Sequence, residues 1–91
     1  MKLLIVDDEY HVIKAVRFLI SLSSLGIEQI FEAGSAPEAI AIIEKEHPEI
    51  LITDVVMQNF TGIYLMEYLN NTTIPIKVIV ISGFNNFDYI R

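Results

Sequence analysis

The chain has 91 residues, no cysteine, and 6 lysine and arginine side chains against 12 aspartate and glutamate side chains. This length allows one domain, and a mean hydropathy of +0.49 excludes a largely disordered chain. The net charge of −6 argues against direct contact with nucleic acid or anionic lipid, and the absence of cysteine excludes a disulfide scaffold and a thiolate metal site.

The N-terminal apolar run is too short for a secretory signal or a membrane span. It covers Leu3 to Val6 and stops at two aspartates, and no uncharged stretch of about 18 residues follows it. A chain with no such signal and no cysteine fits a reducing compartment, so we expect a cytoplasmic protein with no membrane partner.

Four short strands are predicted at nearly even spacing along the chain. Three of the apolar runs are continuous and rich in isoleucine and valine, which is typical of strands covered on both faces of a parallel sheet. The second run alternates more, as an edge strand does. The predicted strands are Leu3–Val6, Gln29–Phe31, Ile50–Thr53 and Lys77–Ile81.

Helical patterns separate the first three strands. An apolar stripe predicts a helix from about Tyr10 to Leu25, with Gly26 as its stop. The stretch from Ser35 to Glu38 is a capping box that begins a second helix, and His47 followed by proline ends it.

Two further helices are predicted in the second half of the chain. One runs from about Gly62 to Asn70 and presents Ile63, Met66 and Leu69, and another could begin near Asn85 or Asn86. Strands and helices that alternate in this way build an open parallel sheet with helices on both faces. The sequence therefore predicts a single α/β unit with a doubly wound sheet.

Polar residues follow three of the predicted strands. Asp7 and Asp8 follow the first, Asp54 the third and Ser82 the fourth. Ligands of open parallel sheets bind beyond the carboxyl ends of the strands, so these residues meet in one region if the first and third strands are neighbours. The repulsion between three carboxylates favours a hard cation such as Mg²⁺. One carboxylate could then act as a nucleophile toward phosphorus and form an aspartyl phosphate.

Four stretches follow one another along the chain: LLIVDDE, ITDVVM, the glycine of FTG and IKVIVISG. In this order and at these spacings, they resemble the receiver domain of bacterial two-component response regulators. The resemblance covers the whole chain. It implies a flavodoxin-like sheet with strand order 2-1-3-4 and a phosphoacceptor at Asp54, which receives its phosphoryl group from a sensor histidine kinase. It further implies that Mg²⁺ binds to Asp8, Asp54 and the backbone carbonyl of Val56. Asp7 would act mostly through water, and Ser82 would be the switch hydroxyl.

The last residues indicate a subfamily of receivers. The stretch from Ser82 to Tyr89 is similar to the SGYxxFxYA stretch of receivers fused to an AraC-type helix-turn-helix domain, the YesN/AraC-type regulators. This implies a transcription regulator whose DNA-binding output domain is absent from residues 1–91. The receiver itself is then expected to make no direct contact with nucleic acid.

The chain departs from the family pattern in two places. Gln58 follows Met57 where the family usually has proline. A receiver also continues into a fifth strand that ends in a lysine, and into a last helix, whereas Lys77 lies at the wrong end of the fourth strand. We therefore expect residues 1–91 to be a partial receiver, from the first strand to the start of the fourth helix, that is phosphorylated poorly by itself. The exposed edge of its fourth strand predicts an edge-paired or swapped homodimer.

Several alternatives compete with this interpretation. Asp8 could simply cap the first helix. A haloacid-dehalogenase-like phosphatase would need a second aspartate two residues after the first, which LLIVDDEY lacks, and an FMN binder would need a phosphate-cradling loop after the first strand. A phosphorylation-independent pseudo-receiver, which is a pure interaction module, stays open. In either receiver role the domain is not expected to turn over an external substrate as an enzyme does.

Overall fold

The computed structural model describes the backbone of residues 1–23, 26–54, 61–82 and 86–90, and the side chains of these residues except 54, 61–63, 81, 82 and 86–90. Strands and helices alternate over most of this length. In chain order they are β1 (Lys2–Val6), α1 (Tyr10–Ser21), β2 (Gln29–Ala33), α2 (Ala36–Glu46), β3 (Ile50–Asp54), α3 (Thr61–Asn71), β4 (Lys77–Ser82) and β5 (Asn86–Ile90).

The strands form one sheet in the order β2-β1-β3-β4-β5. The first four run parallel, so the strand order 2-1-3-4 and the doubly wound α/β fold implied by the resemblance are confirmed. The register fixes one row of residues across the sheet near its carboxyl edge. In that row Val6 lies between Ala33 and Thr53, and Thr53 in turn pairs with Val80.

The continuous apolar runs are buried on both faces of the sheet, as predicted. In β1, all four residues from Leu3 to Val6 are at most 1% exposed. Because successive side chains of a strand point to opposite faces, Leu4 and Val6 pack in the cluster with α2 and α3, while Leu3 and Ile5 pack in the cluster with α1. Edge strand β2 is only partly buried, which matches its alternating sequence.

Helix α1 ends at Ser21, so its predicted end at Leu25 is wrong. The hydroxyl of Ser21 donates to the carbonyl of Phe18 at 2.6 Å, and that of Ser23 to the carbonyl of Ile20 at 2.7 Å. The backbone N–H groups of Leu22 and Ser23 bond the carbonyls of Leu19 and Ile20, three residues back, so the last turn is tightened and its carbonyls have partners where the helix ends. Gly26 does have a positive φ of 73°, but it lies beyond this end.

Helix α2 has the serine half of the predicted capping box at its start and the predicted stop at its end, while Glu38 reaches Gly34, one residue before the N-cap. The Oγ of Ser35 accepts from the backbone N–H of Glu38 at 3.4 Å, and a Glu38 carboxylate oxygen accepts in return from the N–H of Gly34 at 2.8 Å. The helix ends where His47 adopts the left-handed conformation, with φ 51°, and its N–H still bonds the carbonyl of Ile43.

Helix α3 runs one residue beyond the predicted range at each end. Leu65 is its fully buried residue, whereas the predicted core residues Met66 and Leu69 are only partly buried against the same cluster. The side chain of Ile63 lies outside the described residues. In the part of the chain that the structure covers, no helix is long and apolar enough to cross a membrane.

Residues 86–90 contradict the prediction of a fourth helix in this region. They form β5, which pairs antiparallel with β4 and places Phe87 opposite Ile81. Phe87, Tyr89 and Ile90 belong to residue types that favour strands, and the pairing satisfies backbone groups along the second edge of β4. The predicted open edge of β4 is therefore covered by β5, so pairing of two copies through β4 is not supported. The homodimer itself stays a prediction.

Candidate functional site

The candidate site lies at the carboxyl edge of the sheet, across three adjacent strands. Asp7 directly follows β1, Asp54 ends β3 and Ser82 ends β4. Since Val6 pairs with Thr53, Asp7 and Asp54 follow paired residues on neighbouring strands, whose backbones run about 4.8 Å apart. Asp54 itself pairs with Ile81, one residue before Ser82. The fold thus brings these three predicted residues to one edge.

The backbone on both sides of Asp7 is held by hydrogen bonds. The N–H of Asp7 donates to the carbonyl of Ala33 at 3.0 Å, and its Oδ1 accepts from the N–H of Glu9 at 2.8 Å. The residue is only 3% exposed. A carboxylate that is buried and hydrogen-bonded in a local turn in this way is held in one position at the edge of the sheet.

Asp8 does not cap helix α1, so that alternative interpretation of the residue is wrong. Glu9 is the N-cap residue, and it makes no side-chain capping bond. Asp8 is exposed. Nothing in the described chain donates a hydrogen bond to its carboxylate, which is therefore open to water or to a cation.

The other acidic side chains near Asp7 and Asp8 are already engaged. Glu32 accepts from Arg17 at 2.9 Å in a partly exposed ion pair, and Glu38 bonds the backbone of Gly34 at the start of α2. They line the same shallow depression between β1 and β2. Unlike Asp8, Glu32 and Glu38 already have hydrogen-bond partners. We therefore add neither of them to the predicted Mg²⁺ ligands.

The implied metal fits the donors that this edge provides. Mg²⁺ prefers hard oxygen ligands, usually one or two carboxylates together with several waters. Asp7 and Asp8 supply carboxylate oxygens, and the backbone of Asp54 ends β3 on the adjacent strand. The side chains of Asp54 and Ser82 lie outside the described residues, as do Val56 and the departure at Gln58. Within the described residues alone, no group of three acidic or histidine side chains could hold a metal ion.

Lys77 lies at the opposite end of the sheet from the site. It is the first residue of β4, and its N–H donates to the carbonyl of Glu49 at 3.0 Å, beside the start of β3. The prediction that this lysine does not face the carboxyl edge is confirmed.

Thr53 was not predicted from the sequence as a residue of interest. It precedes Asp54 on β3 and is 1% exposed, and its Oγ1 has no hydrogen-bond partner among the residues that the structure describes. The sequence signal is slight, since threonine is common in strands, but Thr53 is the polar residue in the aliphatic run ILIT.

Comparison with known proteins identifies the family. Residues 3–91 match the family model of the response regulator receiver domain. The chain belongs to this family. The receiver is 33% identical to the transcriptional regulatory protein YesN of Bacillus subtilis over 99% of its length and 24% of that protein's length. It thus spans about a quarter of this relative.

Solved structures agree with the family and with the subfamily. A two-component transcriptional regulator AraC from Clostridium phytofermentans is 33% identical, with a TM-score of 0.80 over 92% of this receiver and 68% of that chain. RcsB from Salmonella enterica, solved on a promoter in the presence of a beryllofluoride phosphomimetic, is 25% identical with a TM-score of 0.78 over 94% and 44% of the two chains. The receiver therefore resembles AraC-type two-component regulators in sequence and in fold.

Proposed function

We propose that this receiver accepts a phosphoryl group on Asp54 from the phosphohistidine of a sensor kinase and thereby switches a DNA-binding output domain. The observation that carries the proposal is the register of β1 and β3, which sets Asp54 beside the buried and hydrogen-bonded Asp7 at the carboxyl edge. Ser82 ends the next strand and would be the switch hydroxyl. The proposed site is thus assembled from three adjacent strands.

The proposed step is a phosphoryl transfer between two side chains. A carboxylate oxygen of Asp54 attacks phosphorus, the new P–O bond forms as the P–N bond to the kinase imidazole breaks, and the imidazole leaves with the electron pair. Asp8, Asp54 and the carbonyl of Val56 would hold Mg²⁺, with Asp7 acting through water. When bound, this ion neutralises charge that develops on the phosphoryl oxygens. The backbone N–H of Asp7 bonds the carbonyl of Ala33 and its Oδ1 accepts from the N–H of Glu9, so its carboxylate needs little reordering.

The proposed output is control of transcription by a domain outside these 91 residues. Two similar proteins are described as transcriptional regulators, YesN and the AraC regulator from Clostridium phytofermentans. With a net charge of −6, the receiver itself is unsuited to binding DNA. The kinase and the output domain are then its proposed protein partners, and the cytoplasm is its proposed location.

Intact-mass spectrometry after incubation with acetyl phosphate and Mg²⁺ tests the proposal. We expect a gain of one phosphoryl group, which is lost in Asp54→Asn and kept in Glu67→Gln, a matched change of an exposed carboxylate on α3. Because residues 1–91 contain no lysine at the carboxyl edge, the measurement is made on this chain and on a chimera in which the YesN sequence continues after Arg91. An adduct on neither protein, or one that survives Asp54→Asn, overturns the proposal and favours the phosphorylation-independent interaction module.

A further inference from the structure

The buried hydroxyl of Thr53 is the least expected polar group in the core. The residue is 1% exposed, and within the described part of the chain its Oγ1 has no hydrogen-bond partner. A hydroxyl that is buried without a partner forfeits its bonds to water and gains none in exchange, so it destabilises the state that holds it. Unsatisfied groups of this kind are rare in folded proteins and call for a physical explanation.

Packing alone does not account for this hydroxyl. In the row across the sheet, the residues on either side of Thr53 are Val6 and Val80, both at most 3% exposed. Valine has the same branched shape as threonine, and the sheet holds valine at both neighbouring positions. The hydroxyl is therefore the one feature of Thr53 that a valine in this position would lack.

Thr53 is next to the proposed site in the chain but is not part of it. It immediately precedes Asp54, but successive positions of a strand belong to opposite faces of the sheet, so its hydroxyl cannot reach a group bound at the edge. Thr53 shares its face with Leu51, which packs in the cluster that includes Leu65 of α3. Its register partner Val80 lies on β4, two residues before Ser82. A displacement of β4 or α3 relative to β3 therefore changes the surroundings of this hydroxyl.

We propose that Thr53 is a positioning residue whose hydroxyl is unpaired in the unphosphorylated receiver and gains a hydrogen bond when Asp54 is phosphorylated. The inference rests on the proposed function of Asp54. A group shifts a conformational equilibrium only by the difference in its free energy between the two states. The unpaired hydroxyl raises the free energy of the unphosphorylated state, so the phosphorylated state is favoured by comparison.

Two substitutions separate the shape of Thr53 from its hydroxyl. Thr53→Val keeps the shape and removes the hydroxyl, whereas Thr53→Ser keeps the hydroxyl and removes a methyl group. We expect the valine variant to melt at a higher temperature than the wild type and to bind beryllofluoride with Mg²⁺ roughly three- to tenfold more weakly, the effect of one net hydrogen bond. We expect the serine variant to melt at a lower temperature and to keep the wild-type affinity.

The affinity is measured from the rise in Tm with beryllofluoride concentration at fixed Mg²⁺, in this chain and in the YesN chimera. The positioning role is supported if Thr53→Val alone binds beryllofluoride more weakly and also has the highest Tm of the three proteins. A purely structural residue would change Tm and leave the affinity for beryllofluoride unchanged. Wild-type affinity in Thr53→Val overturns the inference and leaves the proposed function intact. If neither wild-type protein binds beryllofluoride or takes up a phosphoryl group, both proposals fail.

Discussion

Asp7 Oδ1 accepts a hydrogen bond of 2.8 Å from the backbone N–H of Glu9, and this bond joins the end of β1 to the N-cap of α1. The same carboxylate belongs to the proposed metal site, so Asp7 combines a structural and an electrostatic role. The amide of asparagine has an oxygen in the equivalent position, whereas alanine has none. The two roles are therefore separable by substitution.

We predict that Asp7→Asn keeps the fold and weakens Mg²⁺ binding. The amide oxygen still accepts from Glu9, so the turn bond is kept. The midpoint of urea unfolding without Mg²⁺ should fall less than in Asp7→Ala, while the stabilisation by added Mg²⁺ falls. Asp7→Ala is the matched variant, and it should lose about 1 kcal/mol with the turn bond. Equal stabilisation of wild type and Asp7→Asn by Mg²⁺ would show that Asp7 takes no part in the metal site.

The four parallel strands are predictable from sequence because continuous isoleucine and valine runs between helical patterns suit few structures other than a covered parallel sheet. The strand ends then locate Asp7, Asp54 and Ser82 at one edge. Their order across the sheet is a different matter. Neither periodicity nor spacing places β1 beside β3, and the resemblance to receivers supplied that order.

The features that sequence did not predict depend on competition between similar free energies. At the end of α1, serine hydroxyls and the backbone N–H groups of a tightened last turn bond the carbonyls, which the apolar stripe does not reveal. Phe87, Tyr89 and Ile90 belong to residue types that favour strands, but only the pairing with β4 shows that residues 86–90 form one. Thr53 looks ordinary in sequence, because only the packed sheet shows that its hydroxyl is buried with no partner among the described residues.

The left-handed conformation of His47 gives a stability prediction. Its φ of 51° crowds the Cβ atom against the backbone, a cost that glycine does not have. We expect His47→Gly to stabilise the chain by about 0.5–1 kcal/mol in urea unfolding. Ala15→Gly is the control, because Ala15 is exposed in the interior of α1 and glycine in a helix interior costs about 1 kcal/mol relative to alanine. Destabilisation by both substitutions would contradict this account of His47.

The capping box of α2 gives a second prediction. Ser35 Oγ accepts from the N–H of Glu38, which has no carbonyl partner inside the helix. Ser35→Ala should destabilise the chain by about 1 kcal/mol, and Ser35→Asp should restore most of the loss since aspartate is also a good N-cap. Chemical denaturation measures both variants. Ser21→Ala serves as the control at a helix end whose hydroxyl donates rather than accepts, and a loss there equal to that of Ser35→Ala would argue against a specific effect of the N-cap.

Acid should destabilise the edge of the sheet opposite the site, where two exposed carboxylates are held by backbone and terminal donors. A carboxylate oxygen of Glu49 accepts from the N–H of Lys2 at 2.7 Å, and this bond holds the pKa of Glu49 below its usual value of 4.5. The N-terminal amine, 2.7 Å from Glu28, likewise lowers the pKa of that residue. A carboxyl group whose pKa is lowered by folding stabilises the folded state above its unfolded pKa, and that stabilisation disappears as the pH falls through the folded pKa.

We therefore expect the urea midpoint to fall as the pH drops from about 5 to about 3, and to fall less in Glu49→Gln, which keeps an acceptor oxygen without a titrating group. Glu28→Gln should flatten the same decline, and added salt should reduce its effect because both partners of that ion pair are exposed. Glu67→Gln, an exposed side chain without such a partner among the described residues, should follow the wild type. A decline in Glu49→Gln as steep as in the wild type would assign the acid sensitivity to other carboxylates.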